Sequence, residues 1–503
     1  VILGRNDHIA WGYTNTASDV QDLYLEQINP DDPSRYKTPD GWETFKVRPE
    51  TIKIKDADPV LINVRETRHG PVISDVLNTA ANAVSNNTAL ALAWTGLSEK
   101  DVTPNSAAPM MRAKNWTEFK SAIQHFTSPQ QNMVYADVNG NIGFYAPALV
   151  PIRKPENRAH GRLPVPGWIA DYDWQGFVPF EELPHAYNPP NGQFYSANEK
   201  IVGEEYPHFI TSDWAAPYRA NRIAERLEQE DQHSIETFLD IQSDTYSKMA
   251  EDLLVILLTT KPRDELSRKA LTELSIWDGH MAKPAAAPLI FNGWMRALNK
   301  AVYADELGDL FASYYRQRPL FLKNVLTNHN RQGVWCDNIK TPNIESCADI
   351  LQNSLQESLQ DLQARYGDDL RDWRWGDVHI AHSDHTPFSR IAPLDKLFDI
   401  TVPSMGDTFT VNVGRHNIAN DDAPFANTHA ASIRAIYDFS NLDKSLYIHS
   451  TGQSGIFFSP FYDDMAADWS TMKYRTMTTN PEDYKQNAIG ILSLKPNWKS
   501  GKN

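Results

Sequence analysis

The hydrophobic period changes twice along this 503-residue chain, and that change limits the possible folds more than any single motif does. Residues 1–75 read as short strands, with Phe45 and Val47, then Ile52 and Ile54, alternating about Pro49-Glu50. Asn139-Gly140, between NMVYAD and NIGFYA, is the strongest short hairpin signal in the chain. Between these lies a helix signal. Asn115 and Glu118 have capping-box spacing, and Trp116, Phe119, Ile123 and Phe126 follow on one face. Residues 217–370 read as a helix-rich section, in which Leu351, Leu355, Leu359, Leu362 and Tyr366 form an apolar stripe ended by Gly367. The final third is strand-like again, in DTFTVNV (407–413) and SLYIHS (445–450). No repeat, low-complexity tract or Gly/Ser linker divides the chain. One large α+β unit spanning 1–503, with 217–370 as a section within it, is the expectation.

Composition removes several function classes. With 48 Lys+Arg against 64 Asp+Glu the formal charge is −16, which argues against binding nucleic acid through phosphates. The 41% hydrophobic content is enough to bury a large core, which excludes a disordered chain. The longest purely apolar run, Leu253 to Leu258, falls far short of the roughly 20 residues of a membrane span. The sequence begins at Val1 rather than Met and has neither a basic n-region nor an apolar signal core, so processing or a fragmentary sequence is expected.

Cys336 and Cys347 bracket the polar loop WCDNIKTPNIESC. A disulfide in an oxidising compartment is the preferred reading, and with it an exported, periplasmic or secreted protein; two free cytosolic thiols are the alternative. A zinc site is disfavoured because there is no second Cys pair and no His at finger spacing. The generic catalytic motifs HExxH, GxxxxGK[ST], GxSxG and GxGxxG are absent. Ser470 to Lys473 satisfies SxxK, a pattern short enough to arise by chance on a surface helix. His379, His382 and His385 have helical spacing, but Pro387 and the local composition favour strand and loop.

Four segments carry more information: GRNDHIAWGYTNTASDVQDLY from Gly4, GRLPVPG from Gly161 with DYDWQGFVPFEELP after it, GQFYSANEKI with AAPYRANRI downstream, and GQSGIFFSPFYDD from Gly452. In order and over essentially the whole chain, these resemble the β-chain of the penicillin acylase family, which includes the acyl-homoserine lactone acylases. The resemblance implies an N-terminal nucleophile (Ntn) hydrolase with a four-layer αββα sandwich. The expected activity is hydrolysis of an N-acyl amide, either an acyl-homoserine lactone or a penicillin-type or related amide.

In that family a self-cleaving precursor exposes a Ser, rarely Cys or Thr, whose own α-amine is its base. A hydroxyl is a poor nucleophile without one. The family places this residue upstream of the segment matching Gly4, so no residue here is expected to be the nucleophile and the chain alone is expected to be inactive. The same resemblance implies oxyanion donors at the backbone N–H of Asn15 and the side chain of Asn198, and a substrate-proximal role for Arg222. Taken locally, Asn198 reads as a strand-end cap and Arg222 as a solvated helix residue. Leu3 and Tyr13 correspond to acyl-pocket positions. Asp19, Gln21 through its carbonyl, Asp22, the Gly161 carbonyl and Asp213 match a structural Ca²⁺ cluster of hard oxygen donors; a solvated acidic loop is the alternative. An α-chain from the same precursor is the implied partner, and no organic cofactor is expected. His69-Gly70-Pro71 resembles a family turn without a catalytic part.

Two rivals remain at this level. One is a small-molecule-binding homologue that keeps the fold and has lost the nucleophile. The other is an exported metal-dependent hydrolase built on His379, His382 and His385.

Overall fold

The computed structural model describes residues 3–85 and 87–495, so Val1 lies outside the described residues. The chain separates into two compact units, Val1–Ala215 and Ala216–Asn503. The reason is that each part has a core of its own. The boundary falls within a few residues of the helix Tyr218–Leu227, with no flexible linker to announce it.

In the first unit, a five-stranded antiparallel sheet runs in the order Gly4–Arg5, Ile9–Asn15, Gln131–Asp137, Ile142–Tyr145 and His185–Tyr187. Asn139-Gly140 does turn a hairpin. Asp137 organises it by accepting bonds from the backbone N–H groups of Asn139 (2.9 Å) and Asn141 (3.0 Å). The helix Trp116–Ile123 starts where Asn115 accepts from the Glu118 N–H at 3.0 Å. Its inward face buries Phe119 and Ile123 against the sheet, with Phe119 5.1 Å from the Tyr135 ring.

A second sheet places Gln21–Gln27 between Val165–Pro166 (parallel) and Thr88–Trp94 (antiparallel). Because side chains alternate along a strand, Asp22, Tyr24 and Glu26 share one face, and all three are buried. This polar inward face is unusual, and the site below is built on one end of it.

The pair Lys46–Ile52 and Val60–Thr67 departs from the sequence reading. The strand runs unbroken through Pro49, which pairs with Asn63, and Val47, Ile52 and Ile54 are exposed. Lys46–Ile52 is an edge strand, where the missing proline N–H costs no ladder bond.

In the second unit the stretch from Tyr218–Leu227 to Cys347–Tyr366 is helical, and its core is the packing of Ala287–Leu307 on Cys347–Tyr366. Gly293 permits the close approach: a Cβ there would stand 2.9 Å from Leu362 Cδ1 and from Ser358 Oγ. Trp294, fully buried, donates its indole N–H to Ser354 Oγ at 3.0 Å across the same interface. Ser346 caps the second helix in a reciprocal box with Asp349, and the helix stops at Gly367. Cys336 and Cys347 are joined, Cα to Cα 4.9 Å, tying the turn before this helix to its first residue.

SLYIHS contributes the strand Leu446–His449, paired with Ile433–Ile436. DTFTVNV does not form a strand. Asp407 accepts from the Phe409 N–H (2.7 Å), and Thr410 Oγ1 accepts from the Asp407 N–H (2.8 Å) and donates to the Asn412 carbonyl (2.9 Å). These local side-chain bonds take the backbone groups that a ladder would use. Among the described residues, no helix is long and apolar enough to cross a membrane.

Candidate active site

The strand Ile9–Asn15 ends at Asn15, opposite Gln131 across the sheet. Asn198 sits in the left-handed region at φ 73°, which an asparagine tolerates better than most residues. That backbone turn directs its amide to Asn15: Asn198 Nδ2 donates to the Asn15 carbonyl at 2.8 Å. Two residues 183 positions apart are thereby joined. Asn198 is no mere strand-end cap, since among the described residues no strand lies between Tyr187 and Ile380.

A residue that the sequence reading missed holds this junction. Asn132 has no exposed surface. It donates to Thr14 Oγ1 and to Ser196 Oγ, both at 3.1 Å, and accepts from Thr16 Oγ1 at 2.9 Å. Thr14 and Ser196 also bond each other directly at 2.6 Å. The amide therefore clamps 14–16 to 196, on either side of the Asn15–Asn198 contact. The available signal was an Asn directly before the apolar run Met133-Val134-Tyr135-Ala136.

Tyr13 lies half-buried on the same strand, 6.0 Å edge-on to Phe126, with its hydroxyl 3.3 Å from Met110 Sδ. Burial pushes its phenol above the ordinary range. Leu3 is half-buried just before Gly4.

The acidic segment follows directly. Gly161, at φ 80°, comes so close that a Cβ there would stand 2.4 Å from Asp19 Oδ1, 2.7 Å from Asp22 Oδ1 and 2.9 Å from the Gln21 carbonyl. Four of the five expected residues thus converge. The fifth, Asp213, acts on Asp19 through its charge, and among the described residues no three acidic, His or Cys side chains converge closely enough to hold a metal. The buried Arg153 guanidinium also lies here: Nη2 donates to Asp22 Oδ1 at 2.5 Å and to the Asp19 carbonyl at 3.0 Å. Burial is the largest cause that raises the Asp19 carboxyl to about 6; Arg153 opposes it, and Asp22 and Asp213 add to it. Arg153 and Arg162 stand against Asp19, Asp22 and Asp213, two guanidiniums to three carboxylates, in an all-oxygen donor set. That fits a hard cation, with Asp19, Asp22 and the Gln21 carbonyl as the groups that would hold it.

Arg222, in the second unit, is not a solvated helix residue. Its Nη2 and Nε lie 2.7 and 2.9 Å from Asp244 Oδ2, and its guanidinium stacks 4.6 Å over the Tyr246 ring. Asp244 is itself fixed by the Tyr246 N–H at 2.8 Å.

The other candidates resolve as structural. His379 is fully buried, with Nδ1 2.7 Å from the Phe425 carbonyl; His382 lies in the strand Ile380–Ser383; His385 stacks on Phe388. Ser470 donates its hydroxyl to the Pro403 carbonyl at 2.5 Å, and the lysine against it is Lys283 rather than Lys473. His69 lies between Glu26 (2.7 Å) and Asp173 (3.0 Å), stacked on Tyr24. It borders a cleft of about 740 Å³ whose lining includes none of Tyr13, Asn15 or Asn198.

The chain matches known proteins over nearly its whole length. A family model described as penicillin amidase matches residues 1–486. The penicillin acylase 2 proenzyme of Pseudomonas sp. (strain SE83) is 30% identical over 475 residues, covering 93% of this chain and 58% of that protein. The acyl-homoserine lactone acylase QuiP of Pseudomonas fluorescens (strain Pf-5) is 26% identical over 512 residues, covering 97% of this chain and 60% of the relative. The chain thus spans about 60% of the length of the curated relatives it matches. Among solved structures, a thermostable penicillin G acylase from Alcaligenes faecalis superposes with a TM-score of 0.74 at 22% identity, covering 99% of this chain and 90% of that one. The fold is therefore the fold of that acylase, in the α+β class expected.

Proposed function

Because the chain belongs to the penicillin amidase family, we propose that the protein it comes from hydrolyses N-acyl amide bonds, with an acyl-homoserine lactone or a penicillin-type amide as substrate. The observation that supports this most is the 2.8 Å contact between Asn198 Nδ2 and the Asn15 carbonyl, which brings together the two residues expected to supply the oxyanion donors.

In this reading a serine hydroxyl attacks the substrate carbonyl and its proton passes to the serine's own α-amine. With a pKa of about 8, that amine can act as base near neutral pH. The oxyanion forms against the Asn15 N–H and the Asn198 amide. The Asn198 amide, oriented by its bond to the Asn15 carbonyl, is the side-chain donor in this reading. Collapse breaks the C–N bond, the amine leaves with the proton, and water then hydrolyses the acyl-enzyme. Half-buried Leu3 and Tyr13 line the acyl side, an apolar environment suited to a phenylacetyl or fatty acyl group. Within its own unit, Arg222 has its guanidinium held by the Asp244 carboxylate.

The same reading gives Ca²⁺ a structural role at Asp19, Gln21 and Asp22, bracing the loop that follows the oxyanion segment. It takes an α-chain from the same precursor as partner and an oxidising, extracytoplasmic compartment in which Cys336–Cys347 persists.

The test is a substrate panel on the full-length, self-processed protein: short- and long-chain acyl-homoserine lactones, penicillin G and phenylacetyl amides. Release of the free amine with a burst of acyl-enzyme is expected for at least one class. Folded protein that binds these compounds and hydrolyses none of them would establish the binding homologue instead.

A further inference from the structure

Asn198 sits in a loop, 196–199, that is tied to the rest of its unit at two points besides the bond to Asn15. Ser196 Oγ is bonded to Thr14 Oγ1 at 2.6 Å and to Asn132 Nδ2 at 3.1 Å. The Asn198 carbonyl accepts from the Ala215 N–H at 3.0 Å. Between these anchors the backbone turns into the left-handed region at Asn198, φ 73°. That conformation is costly for an L-residue and persists only where the surroundings support it.

Glu199 closes the turn from within the loop. Its Oε2 accepts from the Ala197 N–H at 2.6 Å, so a carboxylate one residue after Asn198 reaches back to the residue before it. Ala197 is buried and Glu199 half-buried. A bond from an N–H to a carboxylate is charge-assisted, and so among the stronger hydrogen bonds open to a loop. It bridges the left-handed residue itself, where a change of backbone angle would swing the Asn198 amide directly. Oxyanion donors act over a narrow range of distance, so a small swing suffices to weaken one. Negative charge on the residue next to such a donor opposes the anion that forms there, which makes the Glu199 carboxylate useful as an acceptor and not as a charge.

We propose that Glu199 is a positioning residue: by accepting from the Ala197 N–H across the left-handed turn, it holds the Asn198 amide in the attitude that an oxyanion requires. The proposal rests on the reading of Asn198 as an oxyanion donor, and the role of Glu199 is carried through that residue.

The experiment is a double-mutant cycle on the full-length, self-processed protein, with an amide that the wild type hydrolyses. Glu199→Ala should lower kcat about tenfold with KM little changed. Glu199→Met, which keeps the bulk without an acceptor, should repeat that result. Glu199→Gln keeps an acceptor oxygen and removes the charge, and should stay within about threefold of wild type. In an Asn198→Ala background, adding Glu199→Ala should cost less than about twofold, because the group it orients is gone. Failure of the underlying reading has its own signature: the wild type hydrolyses none of the amides, or Asn198→Ala is near normal, and the proposal falls with it. With Asn198→Ala impaired, the proposal alone is overturned by near-normal kcat in Glu199→Ala or Glu199→Met, by a Glu199→Gln as damaged as Glu199→Ala, or by a full Glu199→Ala cost that persists without the Asn198 amide.

Discussion

Asn198 donates its side-chain amide to the carbonyl of Asn15 at 2.8 Å, across 183 residues of sequence. The contact fixes the rotamer of Asn198 and holds its nitrogen beside the strand end whose N–H is the other proposed donor. Replacing Asn198 with Ala should lower turnover by about 10²–10³. The thermal midpoint should move little, because the residue lies outside both hydrophobic cores. Steady-state kinetics on the processed protein decide the matter; near-normal turnover would remove Asn198 from the oxyanion hole.

Asn132 offers a test of positioning. Asn132→Leu keeps the volume but leaves the hydroxyls of Thr14, Thr16 and Ser196 short of a buried partner. The expected stability loss is about 1–3 kcal/mol. The diagnostic readout is the kinetic split: turnover should fall with little change in KM if the clamp acts by orienting the proposed oxyanion donors. A lowered midpoint with unchanged turnover would reduce Asn132 to a purely structural residue.

The Asp19 carboxyl gives a pH signature. Its folded pKa of about 6 lies above the ordinary 3.8, so the folded state holds the proton more tightly than the unfolded state. The stability from this group is present below about pH 4 and is lost as pH rises through about 6. A bound cation reverses that loss by favouring the carboxylate. Thermal midpoints from about pH 4 to 7 in EDTA should therefore decline across this window, and millimolar Ca²⁺ should remove the decline. Asp19→Asn should flatten the profile in EDTA. Identical profiles with and without Ca²⁺ would argue for a site satisfied by Arg153 alone.

The Cys336–Cys347 bond closes a short loop, with 11 positions separating the cysteines. Replacing both with Ser should cost ~2–4 kcal/mol and leave kcat unchanged. Two alkylatable thiols in the native protein, detected by mass spectrometry, would contradict the bond.

Sequence periodicity by itself determined the hairpin at Asn139-Gly140, the helix begun by Asn115, and, within the helix-rich section 217–370, the apolar stripe from Leu351 to Tyr366 ended by Gly367. These are local: a turn residue, a cap and an apolar stripe act within a few positions of one another. Pattern also identified Asn15, Asn198 and the acidic segment from Asp19 to Asp22 as candidates, through a resemblance spread over the chain. It could not show that Asn132 clamps 14–16 to 196, because hydroxyl and amide partners 64 to 118 positions apart leave no periodic trace. It misread DTFTVNV, where Asp407 and Thr410 take the backbone groups of a would-be strand. Tertiary structure alone decided that Gly161 leaves room for the oxygens of Asp19, Asp22 and Gln21, that Arg153 lies among them, and that Arg222 is held by Asp244. The physical reason is common to all three. Charge and close approach act through space, and only the folded chain fixes which charges stand within reach of one another.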